Sequence, residues 1–268
     1  GGSFDQTAIL LNGINITNPQ TGHYSLDIPI NISDIEKIEV LSGPSAIVYG
    51  SSAFSGGINI ITKKGIDKGL NVKLEGGLHS LFASEISGAY KIKNMENYLS
   101  FGYGTCDGYI NNTDYKTMNL LYQSRFNLKY NNKIDFQAGI NKKSYGANSF
   151  YSALYPNQHD KTSSYLVSLK GSFFKTLKLL PSVYYNRHDD EFELIKGSGN
   201  KNYHQSNVVG GGLNFQYNSI LGTTNFGVDT RYEEILSNVL GIAMATAHGN
   251  YTKEDNRTNV SYFLQQNY

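Results

Sequence analysis

The sequence predicts an all-β membrane protein: a transmembrane antiparallel β-barrel with a small mixed α/β domain at its N-terminus. Three observations predict it. Long segments after Gly65 alternate apolar and polar residues with period two. The connections between them are alternately short and long. The composition is rich in Tyr (21), Phe (13) and Gly (28), with only 5 Pro and no Trp in 268 residues, which suits strands with glycine-marked turns.

The N-terminal region consists of short apolar runs broken by turns. "AILLNGINI" (Ala8–Ile16) reads as strand, Asn-Gly turn, strand. "IEKIEVLSGP" (Ile35–Pro44) is a strand stopped by Gly-Pro. "SAIVYG" is a single turn closed by Gly50, and "GINIITKK" (Gly57–Lys64) is a last strand.

Beyond Gly65 the strands lengthen. In "NLLYQSRFNLKY" (Asn119–Tyr130), Leu120, Tyr122, Phe126, Leu128 and Tyr130 share a face with Ser124. Asn119, Gln123, Arg125, Asn127 and Lys129 share the other, and Leu121 is the exception. "IDFQAGIN", "YLVSLKGSF", "VGGGLNFQY" and "NFGVDTRYE" repeat the pattern. "KNMEN", "YNNK", "KTLK" and "SILG" are short connections. "SYGANSFYSALYPNQHDKT", "IKGSGNKNYHQS" and "LGIAMATAHGNYTKED" are long ones. About ten strands fit between Leu70 and Tyr268, each near the ~9–11 residues that a tilted strand needs to cross a bilayer. A soluble antiparallel sandwich also alternates, but it accounts less well for the short and long connections and for tyrosines at strand ends.

Composition excludes several classes. No run approaches the ~18 apolar residues of a transmembrane helix, and mean hydropathy is −0.38. The formal charge of +1 gives no field for nucleic acid. One cysteine, Cys106, allows neither an internal disulfide nor a Cys-based metal site. The six histidines have no metal-ligand spacing. No Gly-x-Ser-x-Gly elbow supports a hydrolase. The glycine-rich stretch Glu39–Gly65 is not a phosphate loop, because Ser51 and Ser52 follow Gly50 where a P-loop needs lysine. The chain starts at Gly1 with no visible targeting peptide, as expected of a mature protein cut at the front.

One stretch is more specific. "IEKIEVLSGPSAIVYGSSAFSGGINIITKK" (Ile35–Lys64) resembles the end of the plug domain of TonB-dependent outer-membrane receptors, and "ILLNGINI" resembles the hairpin before it. The resemblance implies that residues 1–65 are the C-terminal part of a plug and residues 66–268 the N-terminal part of a barrel. About ten of the family's roughly 22 strands would then be present. Early plug, TonB-binding segment and later strands would lie outside this sequence. The ending "VSYFLQQNY" is similar to a barrel's C-terminal signature and is read as coincidence. Glycines 43, 50, 56 and 57 are expected to let the plug backbone turn and sit against the barrel wall. Lys37 and Ser42 replace arginines usual in the family, which puts plug–wall ion pairs in doubt.

The resemblance also implies function. Within the family the sequence is most similar to cobalamin receptors, through "NITNPQTGHYSLDIPI" (Asn15–Ile30). In such plugs this region is an apex loop that meets ligand. Thr17, Asn18, Gln20, Thr21, His23 and Tyr24 are therefore candidate substrate contacts, against the plainer reading of a solvated turn. Tyr155 and Tyr203, with His159 and His204, fall in segments expected to be external loops. "HDDEFE" (His188–Glu193) offers Asp189, Asp190 and Glu191 as calcium ligands, without EF-hand spacing; a solvated charge run is the plainer reading. "YTKED" reads as another acidic loop. No other cofactor is implied, and the protein is expected not to be an enzyme.

The expected activity is TonB-dependent import of cobalamin across a Gram-negative outer membrane. The alternatives are a ferric siderophore, haem or glycan, or a passive porin or outer-membrane enzyme. The expected partners are the TonB complex of the inner membrane, the cobalamin or iron-complex ligand and outer-membrane lipid, with room for a surface lipoprotein.

Overall fold

The computed structural model describes residues 7–42, 56–64 and 69–268. They form two sheets. The first has four strands: β1 (Ala8–Leu11), β2 (Ile14–Asn15), β3 (Ile35–Leu41) and β4 (Gly57–Thr62), in the order β2-β1-β4-β3. The β1–β2 turn is Asn12-Gly13, both with positive φ (53° and 78°), the conformation a two-residue hairpin needs. β1 runs parallel to β4, and β3 closes the sheet antiparallel to β4.

The predicted strand regions of the plug are therefore present. Gly43, Gly50 and the "SAIVYG" turn lie outside the described residues, as does the expected boundary at Gly65. Gly56 has φ +128°, and a Cβ there would lie 2.7 Å from the Leu41 carbonyl oxygen. Gly57 abuts Ala8. These two glycines thus serve packing inside the small sheet and not contact with the wall. The tight plug–wall approach uses barrel glycines instead: a Cβ on Gly102 would lie 1.9 Å from Asn31 Oδ1, and one on Gly139 would lie 2.8 Å from Pro29.

The second sheet has eleven strands, one more than expected: β5 (Gly69–Gly77), β6 (Leu81–Ile92), β7 (Met95–Cys106), β8 (Tyr115–Asn127), β9 (Lys133–Gly146), β10 (His159–Ser172), β11 (Leu177–Glu193), β12 (Lys201–Ser219), β13 (Gly222–Ser237), β14 (Ile242–His248) and β15 (Tyr251–Asn267). From β6 to β13 each strand pairs antiparallel with the one before. β15 pairs with β13, and the short β14 lies outside β15 at the sheet's edge.

Three segments read as loop are strand. β14 forms inside "LGIAMATAHG", "YTKED" begins β15, and β12 starts at Lys201 within "IKGSGNKNYHQS". In each case hairpin pairing extends the ladder past the apolar band, where side-chain pattern no longer marks the strand. β6 to β13 and β15 have 12 to 19 residues, more than a bilayer crossing requires.

Burial is inverted relative to a water-soluble sheet. On the outer face Val167 (46%), Val183 (52%), Val209 (49%) and Leu264 (77%) are exposed, while on the inner face Thr162, Ser164, Ser168 and Gln137 are buried. Lipid is the medium that favours an apolar exterior over a polar interior. Leu121, the exception in β8, is on the inner face and fully buried. It belongs with the few apolar side chains facing the plug. The plug's own core is small: Ile9, Leu11, Ile14, Ile28 and Ile60 pack with Leu166, which comes from β10 of the wall. No described helix is long and apolar enough to cross a membrane.

Candidate functional site at the plug apex and barrel wall

The segment after β2 is built from local turns. Asn18 Oδ1 accepts the Gln20 N–H at 2.8 Å, and Thr21 Oγ1 caps a 3-10 turn, Gly22–Tyr24, by accepting the His23 N–H at 3.3 Å. A second 3-10 turn, Ile32–Asp34, is held by the Asn31 N–H donating to Asp34 Oδ2 at 2.7 Å. Between them the chain is pressed on the inner faces of β7 to β11.

The wall grips this segment through named pairs. Arg231, 7% exposed, donates to the carbonyl oxygens of Asn15 (3.1 Å) and Thr17 (2.6 Å) while its Nε pairs with Glu233 at 2.5 Å. Asn186 Nδ2 donates to the Asn15 carbonyl at 3.0 Å, and Lys170 Nζ to the Asn12 carbonyl at 2.6 Å. Asn31 Nδ2 donates to Ser100 Oγ at 2.7 Å, and the Tyr98 hydroxyl to Asp34 Oδ1 at 2.7 Å. Asn12, Thr62, Gln123 and Gln137 form one amide–hydroxyl network across the gap.

Ion pairs cross the gap too. Lys143 Nζ lies 2.6 Å from Asp27 Oδ1, and His188 Nε2 lies 3.2 Å from Oδ2. Burial alone would raise the Asp27 carboxyl; the His188 hydrogen bond and the Lys143 charge outweigh it and bring it down to about 2. Lys37 instead pairs with Glu39 at 2.7 Å on the exposed face of the plug. The plug–wall ion pair found among the described residues uses Asp27 and Lys143.

At the long-loop end three tyrosine hydroxyls donate to one oxygen, Asp160 Oδ2: Tyr24 of the plug (3.0 Å), Tyr145 of β9 (3.1 Å) and Tyr151 of the loop 147–158 (2.8 Å). Burial, then the Asp160 charge, raise the Tyr24 and Tyr151 hydroxyls well above the ordinary phenol, so both stay protonated donors. The Tyr24 ring lies 4.7 Å from that of His188. Above it the rings of His23, Phe150, Tyr151 and Phe192 meet at 4.9–6.0 Å, mostly edge to face.

The sequence-derived candidates divide clearly. Thr17 and Tyr24 are buried and hold the plug to itself or to the wall. Asn18 and Thr21 shape turns, and the Gln20 side chain lies near Asp190. His23 is exposed, among the loop aromatics. Tyr155 is in the loop 147–158. Tyr203 and His204 are in β12, not a loop; His204 packs inward against Ser237 (2.9 Å), which puts Tyr203 on the outer face. His159 is likewise a strand residue, first in β10.

Asp189, Asp190 and Glu191 are consecutive in β11, so they cannot converge. Asp189 pairs with Arg187, and Glu191 with Lys161 and Lys201, while Asp190 alone faces inward. Among the described residues no group of three or more His, Cys, Asp or Glu side chains is placed to hold a metal ion.

Sequence reasoning missed Asp27, Tyr145, Phe150, Tyr151, Asp160 and Arg231 as functional residues. For Tyr145, Asp160 and Arg231 the available signal was polar or charged character at inward positions of amphipathic strands, as in "VDTRYE"; Asp27, Phe150 and Tyr151 are outside those strands and carry no such pattern.

Comparison with known proteins agrees with this architecture. Residues 1–57 match the family model for the TonB-dependent Receptor Plug Domain. The rhizobactin receptor of Rhizobium meliloti (strain 1021) is 44% identical over 77 residues, which are 28% of this chain and 10% of that receptor. The vitamin B12 transporter BtuB of Vibrio vulnificus (strain CMCP6) is 34% identical over 104 residues, 39% of this chain and 16% of the transporter. The ferric-catecholate import receptor Fiu from E. coli K12, in its open form, superimposes with a TM-score of 0.72 at 13% identity, over 98% of this chain and 50% of that one. The chain thus spans about half of that solved receptor and less than a fifth of the two sequence relatives. The leaning toward cobalamin receptors is not distinctive, since a receptor named for rhizobactin matches as well as one named for vitamin B12. Residues 1–57 thus belong to the plug-domain family of TonB-dependent receptors, and the strands that follow share the fold of the barrels of such receptors.

Proposed function

We propose that the protein imports a scarce, bulky nutrient across the outer membrane, driven by the TonB complex, with the plug ending and the barrel beginning near Gly65. The observation that carries this reading is the occupied lumen. The described part of the plug is seated against the inner face of the wall and is fastened there by single hydrogen bonds and two contacts to Asp27. A passive pore has no use for such an obstruction. Each of these bonds contributes about 0.5–1.5 kcal/mol, so they release one at a time under a pulling force. The apolar core they surround is small.

Ligand would dock from the long-loop end, on the aromatic group of His23, Phe150, Tyr151 and Phe192. A flat or ring-bearing complex suits that surface: cobalamin first, with a ferric siderophore supported equally by the relatives. Binding there favours one of two plug states, which is what gated transport requires. Outer-membrane lipid covers the exposed apolar band, and a surface lipoprotein is compatible with the loops.

Calorimetric titration of the full receptor in detergent, with cobalamin and with a ferric siderophore, tests the substrate. Uptake by cells with and without TonB tests the class. The proposal expects saturable binding of one ligand and uptake only with TonB. Uptake that persists without TonB would make the protein a passive pore.

A further inference from the structure

At the short-turn end of the wall, far from the aromatic apex, the plug and strands β7 to β10 border a cavity of about 240 Å³. Its lining holds three cations, Lys64, Arg125 and Lys170, and two carboxylates, Glu96 and Asp135. Both carboxylates are already taken. Arg125 donates from Nε and Nη2 to the two oxygens of Asp135, at 2.6 and 2.7 Å. Glu96 pairs at 3.2 Å with Lys91, which is not part of the lining. Lys64 and Lys170 form no ion pair among the described residues.

Register explains why Lys170 is left over. Asp135 of β9 is directly opposite Arg125 of β8 on one side and Lys170 of β10 on the other. Cβ atoms so placed are about 4.5–5.5 Å apart. Arg125 takes both Asp135 oxygens, and Lys170 reaches instead to the Asn12 carbonyl of the plug hairpin at 2.6 Å. That bond uses one N–H of the ammonium and leaves the others without a protein acceptor. Lys64 comes from the plug, two residues past β4, and is exposed to solvent. A second observation is independent of charge. Gln137, two residues along β9 from Asp135 on the same face, is 5% exposed and lines the cavity. Its Oε1 accepts from Asn12 Nδ2 at 2.9 Å, which fixes the direction of the amide. Its Nε2 is buried with no hydrogen-bond partner. Buried donors without acceptors are rare and costly, and this one stands in the wall that carries the uncompensated ammonium.

We propose that this cavity binds a small dianionic oxyanion of the phosphate class, held by Lys64, Lys170 and Gln137. Two ammonium groups without carboxylates match a charge of −2, and charge-assisted N–H···O bonds from several directions suit a tetrahedral anion. The cavity has room for such an anion with water around it. The exposed Lys64 gives the anion a way in from solvent. Bound between Lys64 and Lys170, the anion links the plug to β10 and adds to the hold of the wall on it. The site is at the opposite end from the aromatic apex, so the assignment stands apart from the import reading and from the nutrient carried.

Calorimetric titration of the full receptor in detergent with inorganic phosphate tests it, in a buffer free of other oxyanions and at a pH where phosphate is doubly ionised. Saturable binding is expected. It should weaken about tenfold or more in Lys170→Met and in Lys64→Met, which keep an unbranched side chain without the charge, and to a smaller degree in Gln137→Met. Lys37→Met, on the exposed face of the plug, should leave it unchanged. Acetate, with a single charge, should bind about tenfold more weakly than phosphate. Phosphate should also slow hydrogen exchange of the plug amides in the parent and not in Lys64→Met. Each variant is first checked for the folded, heat-modifiable barrel. No saturable phosphate binding in the folded parent, or binding as tight in both lysine variants, overturns the proposal. So does acetate binding as tight as that of phosphate.

Discussion

The plug sheet and the barrel wall are both β-structure, and they solve opposite problems. β1 of the plug is buried at all four positions, with apolar side chains on both faces. The wall hides serine, threonine and asparagine inside and leaves valine and leucine outside. Among the described residues the plug's apolar core continues into the wall, where Leu166 packs with Ile9, Leu11, Ile14, Ile28 and Ile60. The wall has lipid to stabilise its outer face and needs no inner core. The lesson is that the plug's stability is largely a property of its seat. A domain built so can leave the lumen without the barrel failing.

Breaking the seat at Arg231 should have the largest effect. Arg231→Ala would leave Glu233 with Arg257 as its partner and remove the donor shared by the Asn15 and Thr17 carbonyls. A loss of about 3–5 kcal/mol is expected in plug retention, from two hydrogen bonds to a charged donor at about 1.5–3 kcal/mol each, measured by hydrogen exchange of the plug amides. The barrel itself should remain folded. Leu11→Ala removes a fully buried side chain from the shared core and should cost about 2–5 kcal/mol by the same measurement. Leu166→Ala should act in the same direction from the wall side, loosening the plug and not the barrel.

Asp27 sharpens the comparison further. Its carboxyl is held down at about 2, so its ionised form stabilises the seat fully above about pH 4. That contribution falls away as pH drops toward 2. The shift corresponds to about 2 kcal/mol, and Asp27→Asn should lose a similar amount at neutral pH while flattening the acid dependence. Plug-amide exchange followed from pH 6 to pH 3 checks both. The smallest effect should come from Lys37→Ala, whose partner Glu39 is on the plug's exposed face. No measurable change in plug retention is expected there.

Much of this was legible in the sequence, for a physical reason. Lipid demands an apolar outer face at every second residue, so "IDFQAGIN" and "YLVSLKGSF" announce both strand and facing. The Asn12-Gly13 turn announces its hairpin because only such pairs take positive φ twice without strain. The plug segment Ile35–Lys64 carries its own signature.

What was illegible is contact across the lumen. Tyr24 and Asp160 are separated by 136 positions, and Arg231 and Thr17 by 214. Neither pair leaves a local pattern. β14 was missed because its ladder with β15 is short and irregular. The scattering of Asp189, Asp190 and Glu191 over two faces was readable in principle. It follows from period two once β11 is seen to run through Glu193. Tyr203 was misplaced for the same reason, since β12 begins two residues before it.

The central claim is that the plug must leave its seat for transport while ligand binding does not need it to. Asn31 of the plug and Ser100 of β7 touch at 2.7 Å and offer the place to test it. In a receptor with Cys106→Ser, the pair Asn31→Cys and Ser100→Cys can be oxidised to tether plug to wall. The account predicts that the oxidised receptor binds ligand normally but imports none, and that a reductant restores import. Import that continues through a quantitatively oxidised tether would contradict it.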